Sequence, residues 1–446
     1  MDSLSRLVII ADDLTGSNDA GLQFAKQGFR TLSLLDAEWN DLNNDADVCV
    51  FNAETRSLHS QLAYERTKEI ARHLDLNLVP YVYKKIDSTM RGNIGAEIDA
   101  LMDSLPFDLA VVVPAYPKND RKTIGGYHLV NQMLLEDSEI ARDPKCPVTQ
   151  SHIPTLLSGQ SKRPIGHVEL KTIRESGAGL TDRVRDMVAQ GNSIIVFDAV
   201  FQDDLKAITE AVSTSGLKTL WVGSAGLAHS LSEVIDLKRK ARTEQKEPET
   251  NSFFPTFVVA GSVNAITRQQ IEALNERDEF QVIVANPLSF LEDSERGEEL
   301  EKITKLLIDV IDNGKSPVLT TDVSESTRLP VGEWMRKNGR DGLYAGNQIA
   351  DCLGKLGAMV VSRRKLGGMV LTGGDIAYRT CKYLQVKAFW ILDEVEEGIP
   401  FSQVIGGSAD ALPIITKAGA FGNRFSLVHA VEKIKTYRGS IHEKSF

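Results

Sequence analysis

The sequence predicts an α/β fold of two domains, each a mostly parallel sheet flanked by helices. Short runs of Val, Ile and Leu alternate with helical patterns along most of the 446 residues, as in parallel sheets whose strands are joined by helices. The runs are apolar throughout, which is typical of strands covered on both faces. A densely charged segment, 236–252, interrupts the alternation, so we predict a linker there between a first domain, 1–235, and a second, 253–446.

The predicted strands follow one another in both domains. In the first domain they are LVIIA (7–11), TLSLL (31–35), DVCVFN (47–52), YVYKKI (81–86), DLAVVVP (108–114), SIIVFD (193–198) and KTLWVG (218–223). Its helical patterns lie at 59–75, 94–104 and 201–215. In the second domain the predicted strands are TFVVAGS (256–262), FQVIVA (280–285), PVLTT (317–321), GMVLTGGD (368–375) and ALPIITKAGAFG (411–422). Its helical patterns lie at 264–277, 296–313 and 343–364.

Composition excludes several classes of protein. Hydrophobic residues at 42% and charged residues at 25% match an average globular protein rather than a disordered or membrane protein. A net charge of −10 argues against a nucleic-acid partner, which would need a basic face. The four cysteines are far apart and form no Cys-x-x-Cys pair, so we expect reduced thiols. No segment resembles a secretion signal or a membrane span, and we therefore expect a cytoplasmic protein without a membrane partner.

Paired aspartates follow the first predicted strand. The segment ADDLTGSNDAG carries Asp12 and Asp13 at the carboxyl end of this strand and turns into a helix. Ligands of open α/β sheets bind at such strand ends. The two carboxylates could orient a polyol, take a hydroxyl proton or hold a metal ion. The alternative is helix N-capping, although capping needs only one such residue.

A dense cluster of charge follows the fourth predicted strand, in KKIDSTMRGNIGAEIDAL (84–101). Lys85 and Arg91 could bind a carboxylate or phosphate, with Asp87 between them kept ionised by the two cations. The alternative is a solvated, salt-bridged loop. Gly92 and Gly95 favour the binding site, because they indicate close approach of the backbone to another group.

Two further segments have polar or glycine-rich patterns. We predict a long polar loop in 111–131, of a length that is more often functional than filler, and a structural role for its histidine, His128. In the second domain three predicted strands end in glycine turns, at Gly261, at Gly373-Gly374 and at Gly419. Such turns offer backbone N–H groups to phosphate, although the standard nucleotide signatures are missing. The patterns thus predict an enzyme that joins a small anionic, hydroxylated ligand to a phosphate-bearing one.

Several segments together resemble the four-carbon acid sugar kinase family. The resemblance lies in IIADDLTGSNDAG, KKIDSTMRGNIGAEIDAL, VVPAYPKNDRKTIGGYHLVN, ARDPKCPVTQSHIPTLL, VGSAGLA, AGSVNAIT, LTGGDIA and ITKAGAFG, in order along nearly the whole chain. Two departures are Ser17, where the family often has alanine, and Glu397, where relatives often carry proline in a loop expected at the nucleotide pocket.

The resemblance implies an activity and a set of site residues. It implies that the first domain binds the acid, that the second binds ATP with Mg²⁺, and that the active site lies in the cleft between them. The implied acid-binding residues are Asp12, Arg56, Lys85, Asp87, Ser88 and Arg91. The implied ATP-binding residues are Ser262, Thr372, Gly373, Gly374, Asp375 and Gly419. Asp12 or Asp87 would accept the hydroxyl proton, and we favour Asp12.

The resemblance leaves the exact substrate open. The KKIDST and SHIPTLL segments are closest to the D-threonate kinase branch, while D-erythronate and 3-oxo-tetronate kinases of the same family remain alternatives. A non-catalytic two-domain protein that binds a sugar acid is the alternative from another class. A homodimer, the metal ligands and the hydroxyl that is phosphorylated also stay open.

Overall fold

The structure is a computed structural model that describes residues 7–35, 46–143, 145–177, 179–237, 254–261 and 264–437. The chain divides into two compact units, Met1–Thr243 and Glu244–Phe446. Each unit contains a mostly parallel β-sheet flanked by helices, which confirms the predicted α/β class. From position 238 onward, the predicted linker lies outside the described residues.

The main sheet of the first unit has eight parallel strands among the described residues. They are β1 (Leu7–Ala11), β2 (Thr31–Leu34), β3 (Val48–Asn52), β4 (Tyr81–Lys85), β5 (Leu109–Val113), β9 (Ile165–Val168), β10 (Ile194–Phe197) and β11 (Thr219–Gly223). Their order in the sheet is β2-β3-β1-β4-β11-β5-β10-β9. All seven strand pairs run parallel. The strands are apolar because helices cover both faces of the sheet, and β1, β3 and β5 are buried along their whole length.

Eight helices accompany this sheet within the described residues. They are α1 (Leu14–Lys26), α2 (Ser60–Ala71), α3 (Ile94–Ser104), α4 (Ile153–Ser158), α5 (Leu170–Glu175), α6 (Gly179–Ala189), α7 (Gln202–Ser213) and α8 (Ala225–Val234). The core between helices and sheet includes Phe24 of α1, Leu227 of α8 and Trp221 of β11.

The predicted loop at 111–131 is wrong in part, because it contains two strands of a small antiparallel sheet whose third strand follows it. This sheet consists of β6 (Arg121–Ile124), β7 (Tyr127–Val130) and β8 (Met133–Leu134). Gly125 and Gly126 form the turn between β6 and β7, and both have positive φ angles, +59° and +79°. A two-residue turn of this kind favours a hairpin. The Asp198 carboxylate anchors the turn by accepting from both glycine N–H groups, at 2.7 and 2.9 Å.

The chain reverses its direction of winding at β1. After β1 it forms β2 and β3 on one side of that strand and then crosses to β4 on the other side. Such a reversal leaves a crevice beyond the carboxyl ends of the adjoining strands, where ligands of open α/β sheets bind. The segments that follow β1, β3 and β4 are therefore the first place to look for a site.

Seven strands are described in the second unit. They are β12 (Thr256–Ala260), β13 (Phe280–Ala285), β14 (Ser316–Thr321), β15 (Gly368–Thr372), β16 (Ala388–Glu396), β17 (Ile399–Ile405) and β18 (Pro413–Lys417), in the sheet order β13-β14-β12-β15-β18-β17-β16. The first five in that order run parallel, and β17 and β16 complete the sheet in antiparallel fashion. The loop that we expected around Glu397, at 396–401, is a tight turn between β16 and β17 followed by the start of β17. Gly398 in this turn has a φ angle of +74°.

In the second unit, helices follow the parallel strands along the chain. They are α9 (Ala265–Asn275), α10 (Pro287–Leu291), α11 (Asp293–Asp312), α12 (Glu325–Asn338), α13 (Gly342–Arg363), α14 (Gly374–Tyr383) and α15 (Ser426–Thr436). Val258, Val370 and Ile415, from the middle of three adjacent strands, belong to one buried core with residues of α9 and α15. Among the residues described in the two units, no helix is long and apolar enough to cross a membrane.

Candidate active site

Strand register brings the predicted acid-binding segments to one edge of the first sheet. Ala11, the last residue of β1, lies opposite Asn52 of β3 and Lys85 of β4. The residues that follow these three strands therefore leave the sheet side by side. This geometry explains why Asp12, Arg56 and Asp87 belong to one site although they are far apart in sequence.

Asp13 is the N-cap of α1. One carboxylate oxygen of Asp13 accepts from the Gly16 N–H at 2.9 Å, and the other accepts from the Thr15 hydroxyl at 2.7 Å. A Cβ at Gly16 would lie 2.4 Å from this carboxylate, so the cap requires glycine there. The capping alternative therefore explains Asp13, and it leaves Asp12 for another task.

Arg56 binds both aspartates at once. Its Nε and Nη2 donate to the two oxygens of Asp12 at 2.7 and 2.9 Å, and its Nη1 and Nη2 donate to Asp13 at 2.8 and 2.7 Å. Burial alone would raise the pKa of Asp12, but Arg56, together with Lys84 and Lys85, lowers it below its ordinary value. Asp12 is therefore an ionised and firmly oriented carboxylate at neutral pH.

Arg91 organises a second carboxylate cluster. Its Nε donates to Asp87 at 2.7 Å, and its Nη1 donates to Asp143 at 3.1 Å. Burial would raise the pKa of Asp87, but Arg91 and Arg56 lower it well below the usual range. The prediction that cations keep Asp87 ionised is confirmed.

The prediction that Lys85 is one of the two cations beside Asp87 is wrong. The Nζ of Lys85 donates to the backbone carbonyl of Ile86 at 3.0 Å, and the same Nζ lies close to Gly16. Arg56 takes the place that we expected for Lys85 beside Asp87. Lys85 therefore contributes positive charge at the start of α1, near Asp12, rather than an ion pair with Asp87.

The two glycines of the same loop have different explanations. Gly92 has a φ angle of +101°, and a Cβ there would lie 3.5 Å from the Asp12 carboxylate and from the Cα of Arg56. Gly92 therefore belongs to the site. Gly95 instead packs on Gln160, which would lie 2.5 Å from an added Cβ. The close approach that we predicted at Gly95 is internal packing and not contact with a ligand.

His128 supports the loop that carries Asp87 and Ser88. The ring is buried, with Nδ1 3.0 Å from the Thr123 hydroxyl and Nε2 2.8 Å from the Ser88 carbonyl oxygen. Because a carbonyl only accepts, Nε2 carries the proton and Nδ1 accepts from Thr123. Burial lowers the pKa of His128 to about 4, so the ring is neutral at pH 7. The predicted structural role thus has a definite target, the Ser88 carbonyl, which lies 40 positions away in the sequence.

A cavity of about 480 Å³ adjoins Arg56. This volume is within the range of small-molecule sites. Its lining residues include Arg56, Met90, Gly92, Asn93, Cys146 and Gln160. Cys146 donates its thiol hydrogen to the Arg56 carbonyl at 3.2 Å. No local pattern in the 145–160 segment predicts that it forms a wall of this cavity; only the family resemblance in ARDPKCPVTQSHIPTLL points to this segment.

The glycine turns of the second unit also share one edge. Ala260, Thr372 and Lys417 lie opposite one another in the adjacent parallel strands β12, β15 and β18. The turn after β15 has Gly373 at φ +104°, and α14 then begins at Gly374 with Asp375 in its first turn. The Thr372 hydroxyl is buried and has no hydrogen-bond partner among the described residues. Gly419 follows β18, whereas Ser262 lies outside the described residues.

Lys417 ends β18 with a buried ammonium group. Its Nζ donates to the carbonyl oxygens of Ala418, Gly419 and Phe421 at 2.9, 3.1 and 3.0 Å. Burial lowers the pKa of Lys417 to about 7, and the Glu396 carboxylate opposes this change. Lys417 belongs to the ITKAGAFG motif, from which no role was predicted for it.

The comparisons with known proteins agree on one family. Residues 7–231 match a family model described as a sugar-binding N-terminal domain, and residues 257–427 match a nucleotide-binding C-terminal domain. A D-threonate kinase of Salmonella typhimurium is 33% identical over 431 residues, which cover 96% of this chain and 98% of that protein. A D-erythronate kinase of Heliobacterium modesticaldum is 32% identical over 438 residues, 97% and 98% of the two chains.

A solved structure from Salmonella typhimurium LT2 has a similar fold. Its TM-score is 0.76 at 22% identity, over 95% of this chain and 98% of that one. At this identity the likeness concerns the fold alone, whereas the two domain matches and the two kinases concern the family. The chain therefore belongs to the four-carbon acid sugar kinase family.

Proposed function

We propose that the protein uses ATP to phosphorylate a hydroxyl group of a four-carbon sugar acid, and that it converts D-threonate to 4-phospho-D-threonate. The observation that carries the choice of acid is the 33% identity to a D-threonate kinase over almost the full length of both chains. D-Erythronate is the second candidate, because the identity to a D-erythronate kinase is nearly equal.

In this proposal Arg91 is the main partner of the substrate carboxylate. A guanidinium has five N–H donors, and four of those on Arg56 are occupied by Asp12 and Asp13. Arg91 uses two, on Asp87 and Asp143, so three have no partner in the described part of the chain and remain for an anion. Arg56, which lines the cavity, then has one N–H without a partner among the described residues and acts mainly by orienting Asp12. Lys85 and Ser88 complete the proposed acid-binding set.

Asp12 is the proposed acceptor of the hydroxyl proton. Phosphoryl transfer needs accurate positioning more than a strong base, so an ionised carboxylate with a low pKa suits this step. Both Asp12 oxygens contact Arg56, yet each carboxylate oxygen can accept a second hydrogen bond. Asp87 is the alternative proton acceptor. Thr89 and Arg91 both donate to its Oδ2, so these two contacts leave its other oxygen, Oδ1, able to accept.

The nucleotide belongs to the second unit in this proposal, at the Thr372–Asp375 turn, Gly419 and Ser262. A helix N-terminus such as that of α14 favours phosphate. Mg²⁺ would arrive with ATP and would supply positive charge to neutralise the phosphates. The described residues contain no group of three His, Cys, Asp or Glu side chains placed to hold a metal, and we assign no protein ligand to it.

A coupled assay of ADP release tests the proposal. The acids to compare are D-threonate, D-erythronate, their L isomers and the 3-oxo acids, each with ATP and Mg²⁺. We expect the highest kcat/KM with D-threonate. A higher value with D-erythronate would transfer the assignment to that acid, and no ADP release with any four-carbon acid would contradict the proposed activity.

A His128→Phe variant should bind the acid poorly. It replaces the imidazole by another aromatic ring that cannot form either hydrogen bond. The Ser88 carbonyl therefore loses its buried donor, and the loop that carries Asp87 and Ser88 loses its support. We expect kcat/KM for the acid to fall by about tenfold or more, with the KM for ATP unchanged. His152→Phe is the matched control, because His152 contacts Thr155 and Tyr127 instead. Equal effects of the two variants would contradict the supporting role.

The same histidine predicts a pH dependence of stability. The pKa of His128 is lower in the folded protein, about 4, than the value near 6.5 expected for the unfolded chain. Its contribution to the free energy of unfolding is therefore complete above pH 6.5 and declines as the pH falls towards 4. Between these values, urea titrations should show a shallower pH dependence for His128→Phe than for the parent protein. Identical slopes would contradict the prediction.

A further inference from the structure

The ammonium group of Lys417 faces the backbone and not open space. Its three N–H donors match the three carbonyl oxygens of Ala418, Gly419 and Phe421, all within 3.1 Å. The residue is 1% exposed. A lysine that binds phosphate directly must point its ammonium at the ligand, and here no donor is left for that contact.

Peptide geometry fixes what the 418–422 loop presents on its other side. In a trans peptide the C=O of one residue points opposite to the N–H of the next, and the described residues contain no cis peptide bond. Since the carbonyls of 418, 419 and 421 point at Lys417, the N–H groups of Gly419, Ala420 and Gly422 point away from it. The loop thus turns three amide donors away from the ammonium.

Neighbouring side chains hold the loop in this shape. The Thr267 hydroxyl donates to the Gly419 carbonyl at 2.9 Å, and Gln270 Nε2 donates to the carbonyls of Phe421 and Asn423 at 3.1 and 2.8 Å. Glu396 binds Ser426 and His429 at the start of α15. A loop that is ordered before its ligand arrives loses less entropy on binding.

We propose that Lys417 is a positioning residue of the nucleotide site, which holds the 418–422 loop so that its amide N–H groups face the phosphates without itself contacting them. This inference rests on the proposed function, because it assumes that the second unit binds ATP. It assigns to Lys417 a role unlike that of a lysine acting on phosphate as a direct point charge.

The first test is a Lys417→Met variant of the full chain, which keeps the length of the side chain and removes the ammonium. We expect the Kd for ATP and for ADP, measured by calorimetry with Mg²⁺, to rise at least tenfold. Adenosine has no phosphate, so its inhibition constant as a competitor of ATP should stay within about twofold. Lys435→Met is the matched control, because it removes an exposed lysine that is paired with Glu279.

A second variant tests the charge itself. Lys417→Ala leaves room for the missing atoms, which correspond to propylammonium. Added propylammonium should restore most of the ATP affinity of Lys417→Ala, and neutral 1-propanol should not. This rescue remains informative if Lys417→Met folds poorly, since a role in packing alone would not respond to charge.

Different results separate the inference from the proposed function. Unchanged ATP and ADP affinity in Lys417→Met would overturn the role of Lys417 while leaving the kinase proposal intact. An equal loss of adenosine and ATP binding, or rescue by 1-propanol as good as by propylammonium, would also overturn it in favour of general packing. Failure of the parent protein to bind ATP would overturn the proposed function, and the inference with it.

Discussion

An Asp12→Asn variant is expected to bind ATP normally and to phosphorylate D-threonate at least about 10²-fold more slowly than the parent protein. The amide has the shape of the carboxylate but cannot take up the hydroxyl proton. In the parent protein Arg56 donates to both oxygens of Asp12, whereas asparagine offers it only one acceptor oxygen. The measurements are kcat from ADP release and the Kd for ATP from calorimetry.

Asp13→Asn is the matched control for this variant. Like Asp12→Asn, it removes one negative charge that contacts Arg56, whose Nη2 lies 2.7 Å from Asp13 Oδ1. The cap of α1 is kept, because asparagine caps a helix about as well as aspartate. We therefore expect a much smaller loss of turnover. Near-normal turnover in Asp12→Asn would contradict the assignment. If Asp87→Asn abolished turnover while Asp12→Asn only raised the KM for the acid, Asp87 would be the proton acceptor.

A Lys84→Met variant is expected to lose about 3–5 kcal/mol of the free energy of unfolding of the first unit. The Lys84 side chain is completely buried, and its Nζ lies 2.8 Å from Glu97 Oε2. It also donates to the backbone carbonyl of Lys85 at 2.9 Å. Without Lys84 the Glu97 carboxyl is left buried without the positive charge that it pairs with. Urea titration followed by hydrogen exchange in β1 and β4 reports on this unit within the full chain.

The double variant Lys84→Met/Glu97→Leu should recover most of that loss. Burial raises the pKa of Glu97, Lys84 opposes this change, and nearby Asp12 adds to it. Removing both members therefore removes a costly buried charge. Lys171→Met is the control, because Lys171 and Glu175 form an exposed pair at 4.0 Å, and we expect no measurable change. A Lys84→Met variant as stable as this control would contradict the prediction.

The sequence predicted seven of the eight described parallel strands of the first unit and all five of the second, because the signal of an apolar run is local. It missed β9, whose sequence IGHV is not a continuous apolar run. Runs such as LVIIA and LAVVV are apolar at every position, and the structure buries each of them on both faces as β1 and β5. The antiparallel parts were missed for a physical reason. Strands β6 to β8 are only two to four residues long, and β17 begins at Ile399 directly after a tight turn at Gly398. Such strands are stabilised by their partners across the turn more than by their own periodicity.

The sequence predicted which segments form the candidate site, but it did not predict which side chains of these segments contact one another. The spacing of Asp12 and Asp13 allowed either to cap α1, and only the structure shows that Asp13 does so. Arg56 lies 44 positions from Asp12, and His128 lies 40 positions from Ser88. No local pattern links residues at such separations, so the family resemblance named Arg56 but not its partners.

Local order along the chain is therefore enough to establish the α/β class, the strand ends that collect Asp12 and Asp87, and the glycine turns of the second unit. Hydrophobic periodicity and turn chemistry act between neighbouring residues, and these features follow from them. Tertiary structure alone decided that Arg56 binds two aspartates, that Lys85 does not pair with Asp87, and that Lys417 faces backbone carbonyls. These contacts depend on which strand ends the sheet order brings together, and side-chain hydrogen bonds form only at such distances.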